Sequence, residues 1–104
     1  MSLVHVVLDR RSSGAEVANA QPHAAQTLTS SNSGSVSSTI AVPADETNRL
    51  GWSWEVTAID ADTWVAFGAA PVAAAGSGHL VKSGETKRFL ASAAGEKIAA
   101  RDVA

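Results

Sequence analysis

Residues 51–68, Gly-Trp-Ser-Trp-Glu-Val-Thr-Ala-Ile-Asp-Ala-Asp-Thr-Trp-Val-Ala-Phe-Gly, decide the fold class. Trp52, Trp54, Val56 and Ala58 fall on one face of an extended chain, and Ser53, Glu55, Thr57 and Ile59 on the other. After Asp60-Ala61-Asp62 the alternation resumes, with Val65 and Phe67 on one face and Trp64 and Ala66 on the opposite one. Side chains of a strand alternate with period 2, so the pattern predicts two strands. The short polar link predicts that they pair as a β-hairpin. A two-residue turn at Asp60-Ala61 sets Val56 against Val65 and Trp54 against Phe67; a four-residue turn from Asp60 to Thr63 pairs Val56 with Phe67. A three-residue turn is excluded, because a one-residue slip moves every side chain to the wrong face.

The same period recurs outward from this stretch. Val4, Val6 and Leu8 alternate with Leu3, His5 and Val7, a run apolar on both sides that reads as covered on both. Val36, Ser38, Ile40 and Val42 form another such set; Thr86, Arg88 and Leu90 alternate with Lys87 and Phe89, and Ile98, Ala100 and Asp102 with Lys97, Ala99 and Arg101. Turn chemistry separates the runs at Ser33-Gly34, Pro43-Ala44-Asp45, Ser83-Gly84 and Gly95-Glu96. About eight antiparallel strands are expected, near 3–8, 24–29, 35–42, 51–59, 63–68, 78–82, 86–91 and 97–103. Short strands with frequent turns predict an all-β class, a single β-sandwich of jelly-roll-like type spanning 1–104. The Ser83-Gly84 turn is expected to pair Lys82 with Glu85. Residues 10–23 read as an extended arm or long loop, 30–38 as a serine-rich loop grading into an edge strand, and 69–78 as a loop.

Composition narrows the function. Of the 104 residues, 21 are Ala and only 25 are Val, Ile, Leu, Phe or Trp, so the core is thin and completion by a second subunit is expected. A homo-oligomer follows, a trimer being favoured over a dimer. A net charge of −2 gives no electrostatic reason to bind nucleic acid. No apolar run approaches the roughly 20 residues of a membrane helix, and Leu3–Leu8 lacks the length and positive flank of a signal peptide. Zero cysteines exclude disulfides and thiolate metal sites.

No catalytic constellation is expected. His5, His23 and His79 lie far apart and lack metal-ligand spacing. Asp60 and Asp62 read as turn residues rather than calcium ligands, and Asp45-Glu46-Thr47-Asn48-Arg49 as a solvated connection. None of the 13 serines stands in Gly-x-Ser-x-Gly. Neither a metal nor a cofactor is expected, and the chain reads as a non-enzyme. Trp52 and Trp54 share the face of Val56 and so point to the core, with a subunit interface or a sugar-stacking platform as the alternatives. Trp64, read as lying beside Thr57 and Ala66, marks a partner surface; Thr57, Arg10 and Arg11 complete the candidate interface.

From about residue 35 the chain resembles small structural proteins encoded among the head genes of tailed bacteriophages. The carriers are Asp62-Thr63-Trp64-Val65-Ala66-Phe67-Gly68, Pro71, Ala73, Leu80, Gly84, Phe89 and Gly95-Glu96-Lys97-Ile98-Ala99. The resemblance covers about two-thirds of the chain and leaves out its N-terminal third. It implies a non-enzymatic virion component, such as a head decoration or fibre-like protein. Such a protein has the capsid shell as partner and is located in the virion, or in host cytoplasm during assembly. The alternative from a different class is a small carbohydrate-binding module using surface tryptophans.

Overall fold

The strands form where alternating apolar residues gain a dry face. In the computed structural model, which describes residues 2–10, 24–43 and 52–103, these strands are β1 (Ser2–Arg10), β2 (Ala24–Ser30), β3 (Val36–Ser37), β4 (Trp52–Ala58), β5 (Thr63–Gly68), β6 (His79–Val81), β7 (Thr86–Leu90) and β8 (Lys97–Asp102). They build two four-stranded antiparallel sheets, ordered β2-β1-β4-β7 and β3-β8-β5-β6, with no helix among the described residues. The fold is the small all-β sandwich that the alternation predicts.

Inward residues of the two sheets form one core: Val4, Val6 and Leu8 from β1, Trp54, Val56 and Ala58 from β4, Val65 from β5, Val81 from β6, and Ile98 and Ala100 from β8. Trp54 is the largest fully buried side chain. It does much of the filling that an Ala-rich composition leaves undone.

The predicted hairpin is not there. β4 and β5 have the expected faces but belong to different sheets, so the chain arches from one sheet to the other at 59–62. β4 instead pairs with β1, Val6 against Val56, and with β7, Trp54 against Phe89. β5 pairs with β8, Val65 against Ala100, and with β6. The physical reason lies in the link. A tight two-residue hairpin of the favoured type needs positive φ at both central residues, and no non-glycine residue among those described adopts it. An arch brings the same two apolar faces together across the sandwich rather than side by side.

A similar correction applies at Ser83-Gly84. Glu85 N–H donates to the Lys82 carbonyl (2.9 Å) with Gly84 at φ +79°, the arrangement of a type II turn. That turn carries the chain from β6 in one sheet to β7 in the other. The Lys82 and Glu85 side chains do not form the predicted pair. The Glu85 carboxylate accepts the Lys82 backbone N–H (3.0 Å) and lies 3.8 Å from Lys87 Nζ.

β1 is covered on one face only: outward Leu3 is 41 % exposed, and His5 and Val7 are half-buried. It also runs further than expected, so Arg10 belongs to β1, and the remainder of the expected arm, 11–23, lies outside the described residues. The expected strand at 35–42 is regular only over Val36–Ser37, but its bonding to the neighbouring chain continues through Ser38 N–H to the Ile98 carbonyl and Val42 N–H to the Glu96 carbonyl. Segment 69–78 is a loop, as expected. Ala73 N–H donates to Ser35 Oγ (2.9 Å) and Ser37 Oγ donates to the Pro71 carbonyl (3.3 Å), which folds the loop back over the second sheet. That cover accounts for Ala99, which points outward from β8 yet is fully buried.

Candidate functional site

Strand β8 carries the least expected chemistry. Its inward phase reads Glu96-Ile98-Ala100-Asp102, two acids bracketing two apolar residues, and all four are buried. Buried carboxylates are tolerated only when they collect hydrogen bonds, and both do. Glu96 accepts the Trp54 indole N–H at 2.9 Å, the Ser92 backbone N–H at 3.2 Å, and the Ser92 hydroxyl. Asp102 accepts the hydroxyls of Ser2 (2.9 Å) and Ser30 (2.5 Å). Glu96 thus ties the second sheet to β4, and Asp102 ties it to β1 and β2. Both acids fasten the two sheets together, one at each end of β8.

The exposed aspartates do related work in the loops. Asp60 accepts the Leu3 N–H and Asp62 the Ser83 N–H, each at 2.8 Å. They are turn residues, as expected, though the N–H groups they hold come from neighbouring segments rather than their own turn.

The histidines are separated. His5 sits on the outer face of the first sheet with Nδ1 3.0 Å from Thr27 Oγ1. His79 is the exposed residue of edge strand β6, its ring 4.8 Å from Phe89 and 6.4 Å from Phe67. His23, like Asp45–Arg49, falls outside the described residues. No group of three or more potential metal ligands converges among the described residues.

Trp52 and Trp54 are 7 % and 0 % exposed, which removes both from any stacking platform and leaves Trp64 as the half-buried tryptophan. Trp64 stands on the outer face of the second sheet, in register with Arg101 and Leu80. Thr57 stands on the outer face of the first sheet, its hydroxyl 2.7 Å from that of Thr86. The sandwich therefore separates Trp64 from Thr57, where the sequence had placed them side by side. The misplaced neighbour follows directly from the mistaken hairpin. Arg10 ends β1 in register with Trp52, and Arg11 is outside the described residues.

The outer face of the first sheet presents ordered rows of side chains. One row crosses all four strands as Thr27, His5, Thr57 and Thr86; the next holds Ala25, Val7, Glu55 and Arg88, with Arg88 Nε 3.1 Å from Glu55 Oε2. Exposed apolar residues flank the rows, Leu3 and Ile59 (47 %) toward one end and Leu90 (64 %) toward the other. Chemically this face combines exposed aliphatic side chains with hydroxyl and ion-pair rows. Comparison of the chain with protein-family models, curated proteins and solved structures found no match.

Proposed function

We propose that this protein is a non-catalytic structural component that works by binding protein surfaces, and that its setting is a tailed-phage virion, where it decorates the capsid shell. The observation that carries the binding reading is the outer face of the first sheet, where exposed Leu3, Ile59 and Leu90 surround hydroxyl and ion-pair rows. Aliphatic anchors with a neutral polar surround are what a partner surface can desolvate at little cost. The virion setting rests on the motif resemblance along residues 62–99. Homo-oligomerisation belongs to the same proposal, since the thin core and half-buried Trp64 both favour a covered surface.

The test is direct. Purified protein is mixed with empty phage heads and the bound fraction measured. The reading expects saturable binding in a stoichiometry matching the shell symmetry, weakened at least tenfold by Leu3→Asp with Leu90→Asp. Absence of saturable binding to any head, combined with glycan-array binding lost on Trp64→Ala, would move the protein to the carbohydrate-binding class.

A further inference from the structure

We infer that β2 is a self-pairing edge, and that two copies join their first sheets through antiparallel β2–β2 contact about a twofold axis. A sandwich of two open sheets has four edge strands, and exposed edges recruit other chains unless they are blunted. Three of the four are blunted here. β3 has two residues and β6 has three. β7 carries Lys87, which points inward opposite Val56 and donates from Nζ to the Leu80 carbonyl (2.8 Å) across the seam between the sheets. An inward-pointing charge of this kind is a known guard against edge pairing.

Among the described residues β2 has no such guard. Its seven residues, Ala-Ala-Gln-Thr-Leu-Thr-Ser, include neither charge nor proline and pair regularly with β1 from Ser30 to Ala24. Among the described residues its other edge receives no backbone hydrogen bond. The Gln26 side chain turns inward, accepting the Thr39 and Ile40 N–H groups, so it does not obstruct that edge.

A second copy is the occupant that the residue pattern fits. The midpoint of the strand is Thr27, so full antiparallel overlap places Thr27 against its symmetry mate and Thr29 against Ala25. Cross-strand Thr–Thr pairs are favourable, and an uncharged strand meets its own copy without like-charge repulsion. The Thr27-His5-Thr57-Thr86 row would then run unbroken across eight strands. Identical edges meeting about a twofold make an isologous, closed interface, so the product is a dimer rather than the trimer expected from composition. The inference concerns how copies join and does not depend on the virion reading.

Sedimentation velocity on the full chain over a concentration series tests it, paired with hydrogen exchange of the β2 amides. The expected mass at high concentration is twice the 10.6 kDa of one chain, with amides 24–30 gaining protection as the dimer forms. Thr27→Lys, which sets two ammonium groups face to face, should return the mass to 10.6 kDa with circular dichroism unchanged. Leu90→Lys on the opposite edge should leave the dimer intact. If Thr27→Lys fails to fold, the exchange data on the unaltered chain decide. A monomer at every concentration, a dimer that survives Thr27→Lys, or a dimer whose β2 amides stay unprotected would each overturn the inference.

Discussion

Removing the Trp54–Glu96 bond is the sharpest test of how this thin core holds together. Indole and carboxylate are both buried, and their 2.9 Å hydrogen bond links a core strand of one sheet to the turn before β8 in the other. A bond to a carboxylate contributes roughly 1.5–3 kcal/mol, and an orphaned buried donor costs about 1–3 kcal/mol. Glu96→Ala strands the indole N–H; the Ser92 N–H also loses its acceptor, but Ser92 is exposed and water can replace it. Its expected cost is therefore about 2–3 kcal/mol. Trp54→Phe keeps most of the packing but deprives the carboxylate of its best donor, for about 2–4 kcal/mol including the smaller ring. In the double variant neither partner is stranded by the other's loss, so the two costs should overlap by about 1.5–2 kcal/mol. For a domain of this size each kcal/mol moves Tm by roughly 4–8 °C. Urea unfolding of all four proteins, followed by far-UV circular dichroism, measures the cycle. Additivity within about 0.5 kcal/mol, the tolerance for independent sites, would refute the claim that this bond fastens the sheets.

Other expectations are quickly checked. Leu8→Ala, at a fully buried position, should cost about 2–5 kcal/mol in urea unfolding, whereas Leu90→Ala should stay within about 0.5 kcal/mol. Gly78→Ala should destabilise far more than Gly84→Ala: both have positive φ, but a Cβ at 78 would stand 2.3 Å from the Val65 carbonyl oxygen and at 84 would meet nothing within 4 Å. At Gly84 the loss should be only the left-handed strain of roughly 1–2 kcal/mol, and equal Tm losses would contradict this. Acrylamide should quench one class of tryptophan far more than the others, and Trp64→Phe should abolish it, because Trp52 and Trp54 are buried.

The parts of this fold legible in the sequence are those that period-2 alternation encodes. Trp54 and Val56 are buried and Glu55 is not, as the letters require, and the eight strands lie near their expected places. Pairing was not legible in the same way. Alternation says which face of β4 is dry, but a dry face can meet β5 beside it or opposite it, and only the link distinguishes the two. The absence of glycine in Asp60-Ala61-Asp62 was the usable signal, since the primed turns that close tight hairpins favour it. Asp102 shares the phase of Ile98 and Ala100 and so reads as inward, whereas Glu96 reads only as a turn residue after Gly95; the Trp54, Ser92, Ser2 and Ser30 groups that hold the two acids come from other segments and carry no signal in the sequence. The split between Trp64 and Thr57 could not be read without the pairing.

The arches bear on the order in which the molecule can be made. β1 lies between β2 and β4, and Val6 meets Val56 only after some fifty further residues exist. Ser2 reaches Asp102 across a separation of 100 positions. A chain emerging from the ribosome therefore holds β1 without its core neighbour β4 for some fifty residues, and cannot close the Asp102 fastening until β8 is out. Non-local pairing of this kind places folding in the millisecond-to-second range and favours a single late, cooperative closure. Until that closure, the uncharged β2 edge is open to other nascent copies, so crowded translation of this chain carries its own risk of mispairing.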